Sequence, residues 1–266
     1  MKSKLLLFIL IISTVYIFNA CEDSGTDPEN GEGGTQVADA SYFPNEDGAF
    51  YKYNIQRDSA GTVTSGTRSS FYSGNQTVGG TPYQLQLDTL NFQGLPAILD
   101  SLFFRKTNSG VFYFLDTTGF ASSVPGLDTL IQYITLDTEV RILLFPMLDN
   151  SSWSVFRMNL NYQGILNFDP VVLSARYDGT ENLQLNLNPP KNVDAVKLRF
   201  TLSIKTDPFG ETTTYTTYGW IAQNIGFVKW EGNGTIVGLF TGNGVDFDDT
   251  TSVFTQNIIE FNLIDN

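Results

Sequence analysis

Between Val196 and Ile204 every second residue is apolar: Val196, Leu198, Phe200, Leu202 and Ile204 alternate with Lys197, Arg199, Thr201 and Ser203. A period of two sends these sets to opposite faces of a β-strand. One dry face and one wet face is the antiparallel pattern, since a parallel sheet covered on both sides is apolar throughout. The alternation recurs at Tyr51, Tyr53 and Ile55 against Lys52, Asn54 and Gln56. It recurs again at Tyr83, Leu85 and Leu87 against Gln84 and Gln86, and at Leu183, Leu185 and Leu187 against Gln184 and Asn186. About fourteen candidate strands are separated by turn sequences such as Asn108-Ser109-Gly110 and Asn188-Pro189-Pro190. Leu127, Leu130, Ile131 and Ile134 follow helical spacing instead, which predicts a short helix after Pro125-Gly126. The expected fold is all-β. Antiparallel sheets form a curved open sheet, a half-barrel or a β-sandwich, with at most a short helix.

The N-terminal residues follow a different logic. Lys2 and Lys4 precede an uncharged stretch from Leu5 to Phe18, and Phe18-Asn19-Ala20-Cys21 places a small residue directly before the single cysteine. A basic start, an apolar segment and a small residue at the cut make a secretory signal. The segment falls short of the ~20 apolar residues of a membrane-spanning helix. The ending resembles a bacterial lipobox, although Phe18 stands where Leu is usual. The alternative is an ordinary signal-peptide cysteine with cleavage elsewhere. Residues 1–20 are therefore expected to be a lipoprotein signal peptide, with Cys21 acylated by palmitate-type chains as the membrane anchor. Residues 21–40 carry Glu22, Asp23, Asp27, Glu29, Glu32 and Asp39 with no base and several glycines, the composition of a disordered tether. Acidic residues after a lipidated Cys resemble the signal that exports some Gram-negative lipoproteins to the outer surface. The expected location is the outer membrane, on its periplasmic or its outer side. Residues 41–266 form the single β domain, a size that all-β folds reach undivided.

Composition removes whole classes of chemistry. Loss of Lys2 and Lys4 with the signal peptide leaves 13 basic residues against 28 acidic, a formal charge of −15. Nucleic acid needs a basic footprint, which this chain lacks. The chain has no histidine, which excludes Ser-His-Asp triads, Cys-His dyads and His-ligated zinc. A single acylated cysteine leaves no thiolate cluster. Any catalysis must come from carboxylates, hydroxyls, Lys or Tyr, and no catalytic or cofactor-binding residue is assigned.

Several motifs recur. Phe43-Pro44-Asn45-Glu46-Asp47-Gly48-Ala49-Phe50 and Phe145-Pro146-Met147-Leu148-Asp149-Asn150-Ser151-Ser152-Trp153 align with a single gap, which points to an internal duplication. Each Phe-Pro should stand just before a strand, where the missing N–H is tolerated. Leu-Asp-Thr occurs at 87–89, 115–117, 127–129 and 136–138, with Leu99-Asp100-Ser101 beside them. Strand ends account for these better than metal ligation, with Leu closing the inner face and Asp and Thr bonding the turn backbone. Asp246, Asp248 and Asp249 in a Gly-rich loop are weak Ca²⁺ candidates, because hard oxygens suit that ion. An EF-hand is excluded by Thr250, Thr251 and Asn257 at its later ligand positions.

The two Phe-Pro boxes, together with Gly219-Trp220-Ile221-Ala222-Gln223-Asn224-Ile225-Gly226-Phe227-Val228-Lys229-Trp230, resemble a set of uncharacterised bacterial lipoproteins. Those proteins begin their domain with Tyr-Phe-Pro, then Gly and Trp, and carry a late W-x-A-x-x-[IV]-G-x-V-K box. This chain has Phe50 where Trp is usual and Gln223-Asn224 where Pro-Gly is common. The resemblance implies no activity. The late box itself reads as a strand, a turn at Gly226 and a returning strand, with Trp220 and Trp230 available for cross-strand packing.

The functional expectation is a lipid-anchored, non-enzymatic binding or scaffolding domain, attached to the membrane through Cys21, with glycan or protein as partner. One alternative is a half-barrel carrier of an apolar ligand, distinguished by an unfilled apolar interior. The other is a carboxylate-dependent hydrolase. No cofactor and no nucleic acid is expected.

Overall fold

Thirteen strands form one continuous antiparallel sheet, and two short strands pair beside it. The computed structural model describes residues 34–116, 128–241 and 251–263. In chain order the strands are β1 (Gln36–Ala38), β2 (Phe50–Ser59), β3 (Thr62–Val78), β4 (Thr81–Phe92), β5 (Ile98–Thr107), β6 (Gly110–Phe114), β7 (Ile134–Leu136) and β8 (Glu139–Leu144). They continue as β9 (Met147–Leu148), β10 (Ser152–Tyr162), β11 (Leu166–Leu185), β12 (Lys191–Ile204), β13 (Thr213–Ala222), β14 (Gly226–Asn233) and β15 (Val253–Asn262). Among the described residues one α-helix, α1 (Gly234–Thr241), lies between β14 and β15. The large sheet runs β7-β10-β11-β12-β13-β14-β15-β2-β3-β4-β5-β6-β8, and β1 pairs with β9.

This order is two meanders, β2–β6 and β10–β14, joined where β15 pairs with β2. The sheet is curved and open, not a closed barrel. At its open seam β8 faces β10 without a ladder, and the Trp153 indole donates to the Arg141 carbonyl across it at 2.9 Å. Of the architectures left open by the alternation, the curved open sheet is the one formed. One face holds a continuous core in which Tyr51, Phe104, Phe156, Phe200, Met147 and Met158 are fully buried.

The two halves repeat each other in register. Phe43 and Phe145 are buried before their strands, and Ala49 N–H bonds Glu46 O as Ser151 N–H bonds Leu148 O, both at 3.0 Å. Tyr72 N–H then bonds Ala49 O as Tyr177 N–H bonds Ser151 O. Both β3 and β11 bulge directly after that tyrosine, at Gly74 and Gly179, with φ of 65° and 110° that glycine adopts without strain. The match runs from Phe43 to Tyr51 and from Phe145 to Trp153 without the gap expected from sequence. Tyr51 is fully buried and takes the place of Trp153, while Phe50 points outward.

Three further expectations change. Gln36–Ala38 is strand β1, so the last residues assigned to the tether belong to the domain, because Met147 and Leu148 offer them a ladder. The helical spacing near residue 130 gives a 3₁₀ helix, Asp128–Tyr133, whose successor Ile134 already belongs to β7. Helix α1 forms although Thr235, Ile236 and Val237 are β-branched, which lowers helix propensity. Burial of Ile236, Val237 and Phe240 against the inner face outweighs that preference, and Asn233 Oδ1 accepts the Thr235 N–H at its start. Trp220 and Trp230 are both buried and each packs across the β13–β14 ladder, on opposite faces of the sheet. Trp230 opposes Gly219 on the inner face and stacks on Phe227 at 4.6 Å, whereas Trp220 opposes Lys229 on the outer face. There Lys229 and Lys197 cover its ring at 4.4 and 5.1 Å, and Glu181 accepts its indole N–H.

The β12 alternation holds from Val196 onward: Val196, Leu198, Phe200 and Leu202 are buried, and Lys197, Arg199, Thr201 and Ser203 are not. Phe200 packs on Trp230 and Phe240 at 5.3 and 5.2 Å. Phe200→Ala should cost ~3–5 kcal/mol by urea denaturation. Thr201→Ala, on the outer face, should stay within ~0.5 kcal/mol. Equal losses at the two positions would contradict a strand that is dry on one face only.

Candidate functional site

The first Phe-Pro box, the β3 bulge and the β5–β6 hairpin converge on a cleft of about 680 Å³ at the end of the first meander. That volume falls within the ~300–1,000 Å³ of ligand sites. Its walls mix polar and apolar groups: Asn75, Asn108, Gln84, Glu46, Asp47 and Lys106 line it together with Ala40 and Pro82. Each amide presents a donor and an acceptor together, which suits a ligand carrying both. The walls are held in place. The Gly74 N–H bonds the Asp47 carboxylate at 2.7 Å, and Lys106 Nζ donates to Phe43 O at 2.8 Å. Burial holds the Lys106 amine below its ordinary range, against the opposing pull of Glu46 and Asp39. Arg105 is already paired: Nε and Nη2 fork onto Glu139, which also accepts the Tyr83 hydroxyl. Those hydrogen bonds, first the one from Arg105, hold the Glu139 carboxyl below the usual carboxylate range. The arrangement suits hydrogen-bonded recognition rather than proton transfer.

The box is fixed from behind by the late tryptophan box. Gly226, at φ 99°, turns the β13–β14 hairpin so that a Cβ there would stand 3.1 Å from Asn45 Oδ1 and 3.7 Å from Pro44. Tyr51 OH donates to the same Asn45 oxygen, and Tyr53 OH donates to Phe227 O. The first Phe-Pro box and the late tryptophan box, two of the three stretches that carry the resemblance, therefore touch.

A second feature lies inside the first meander. Arg68, 4% exposed, donates to Asp88, 1% exposed, at 2.7 Å and to Gln256 of β15 at 3.3 Å. Gln86 donates to both oxygens of Asp88 and accepts from Tyr113 at 2.9 Å. Burial holds the Tyr53, Tyr72 and Tyr113 hydroxyls protonated, their pKa values pushed well up. Arg68 Nε, Ser70 Oγ and Gln256 Nε2 have no partner among the described residues. In the second meander the register puts Leu173, Ala175, Leu198 and Phe200 where the first has Arg68, Ser70, Gln86 and Asp88. The fold therefore does not require polar groups here.

This cluster overturns part of the Leu-Asp-Thr reading. Asp88 lies mid-strand and buried, and Leu87 is 42% exposed on the outer face. Asp100 faces Asp88 across the ladder and Leu99 is 77% exposed. Burial raises the Asp100 carboxyl above its ordinary value. Alternation alone fits either phase, and the Arg68 partner selects the polar one. Asp137 does stand at a strand end, between β7 and β8, but its carboxylate accepts the N–H of Arg157 on β10 rather than one of its own turn. Cys21, Asp246, Asp248 and Asp249 lie outside the described residues. Among the described residues no group of three or more acidic side chains is placed to hold a metal, and no helix is long and apolar enough to cross a membrane.

No family model matches the chain, and no curated protein matches it. Among solved structures the chain is similar to a candidate lipoprotein from Parabacteroides distasonis, 12% identical, with 83% of this chain and 98% of that one covered at a TM-score of 0.44. It is likewise similar to a candidate exported protein with a YmcC-like fold from Bacteroides fragilis, at 13% identity, the same coverage and a TM-score of 0.44.

Removing one member of a buried ion pair strands the other, at a cost of ~3–5 kcal/mol, whereas apolar replacement of both is often neutral. Asp88→Ala should therefore destabilise strongly, and Arg68→Leu/Asp88→Leu should recover most of that loss in chemical denaturation. Strictly additive losses would mean that the pair is not coupled as the geometry indicates.

Proposed function

We propose that this chain is a lipid-anchored protein of the cell envelope, tethered through an acylated Cys21 in the outer membrane. Its curved sheet is a non-enzymatic binding or scaffolding domain whose partner docks at the cleft. The observation that carries the binding reading is the filled interior. Tyr51, Phe104, Phe156, Phe200, Met147 and Met158 occupy the inner face with less than 2% exposure. A carrier of an apolar ligand needs an apolar cavity of several hundred Å³ there. The cleft opens at the rim, beside Asn75 and Lys106. A non-enzymatic role fits the absence of histidine from the chain, because the common nucleophile–base pairs need it.

Cells fed a labelled fatty acid should transfer label to the protein, and Cys21→Ser should abolish both label and membrane retention. Protease treatment of intact cells should degrade the domain if it faces outward. A Cys21→Ser chain that stays labelled would remove the anchor. Turnover of a glycoside or ester that is lost with one carboxylate would overturn the non-enzymatic reading.

A further inference from the structure

On the binding reading above, we propose that the rim cleft is a strand-accepting groove whose ligand is an extended polypeptide segment of a partner protein. The internal repeat carries this. Asn45, Glu46 and Asp47 of the first box correspond to Met147, Leu148 and Asp149 of the second. Ladder pairing extends the match: Asn75 with Gln84 corresponds to Thr180 with Val196, and Gln84 with Phe104 to Val196 with Ile221. Lys106 and Thr107 therefore correspond to Gln223 and Asn224.

In the second half this groove is filled, and the chain fills it with its own backbone. Strand β1 runs antiparallel to β9, Gln36 opposite Leu148 and Ala38 opposite Met147. The Asp149 N–H donates to Thr35 O at 3.0 Å. At the far wall the Asn224 N–H donates to Ser41 O at 2.9 Å, and the Gln223 amide donates to Ser41 Oγ at 3.2 Å. Residues 35–41 thus span from the box to the hairpin, extended over Gln36–Ala38 and then turned by a 3₁₀ helix, Ala40–Tyr42, that carries Ser41 to the far wall. The equivalent walls of the first half, Asn45–Asp47 and Lys106–Thr107, line the open 680 Å³ cleft.

The two grooves differ in side chains. Leu148, Ala222 and Gln223 correspond to Glu46, Arg105 and Lys106, so the open groove is the more charged, with both signs present. Strand addition draws affinity from main-chain hydrogen bonds and specificity from flanking side chains. The expected ligand is therefore an extended segment with polar side chains of mixed charge. Pinning of Asp47 by Gly74 and of Lys106 by Phe43 O lowers the ordering cost of binding.

The test uses the full chain and a fluorescent peptide of residues 34–42, whose backbone fits the equivalent groove, read by anisotropy. Saturable binding is expected below ~1 mM. Asn75→Trp and, separately, Asn108→Trp fill the open cleft and should weaken it at least about tenfold, with melting temperatures near that of the parent. Thr180→Trp, at the matching place in the second half, should leave it unchanged. Absence of binding at ~1 mM overturns the proposal, as does binding that ignores Asn75→Trp and Asn108→Trp. Cleft-dependent binding of maltoheptaose without peptide binding would assign the cleft to a glycan instead. Failure of the acylation or shaving experiments would remove the envelope reading and leave this outcome standing.

Discussion

The ladder between β15 and β2 joins the end of the chain to its beginning, from Val253 opposite Asp58 to Asn262 opposite Phe50. It makes one sheet of two meanders that are otherwise built from hairpins between strands adjacent in sequence. Without it β2 and β15 would each present a row of unpaired backbone groups, which is costly and prone to aberrant pairing. The polar cluster depends on the same junction. Arg68 reaches across β2 to Gln256, so the ion pair with Asp88 also ties the first meander to the last strand.

The matching junction on the other side, β8 with β10, is not made as a ladder. The chain from Ile134 to Leu144 instead pairs with β10 at its start and with β6 at its end. The Trp153 indole bond to Arg141 O bridges what remains. A sheet left open here can curve around a core thick with aromatic rings, including Phe43, Phe104, Tyr72 and Tyr51, without the strand tilt and stagger that full closure imposes.

The halves share backbone and diverge in content. The second is apolar within and its groove is occupied by residues 35–41; the first holds a buried charge pair and an open groove. Divergence of side chains on a repeated frame is how one half can serve packing while the other is available for recognition. The Phe-Pro box stands at the boundary, held by Gly226 of one half and lining the cleft of the other.

Alternation in the sequence by itself determined an antiparallel, one-face-dry sheet, and β12 shows why: its five apolar positions are unbroken by a bulge. The Phe-Pro echo likewise determined that two boxes open two strands. The phase of β4 was beyond reach, because Gln84, Gln86 and Asp88 alternate with leucines as regularly as core residues alternate with surface ones. Only a cross-strand partner, Arg68, decides which set goes inside. Helix α1 was hidden for a related reason, its β-branched residues being helical only where the inner face buries them. The cleft was least accessible of all. Asn45, Asn75, Lys106 and Asn108 are dispersed along the chain and individually ordinary turn or strand-end residues. They become a site because the β3 bulge, the β5–β6 hairpin and the first box meet at one end of the sheet, and only three-dimensional pairing brings them together.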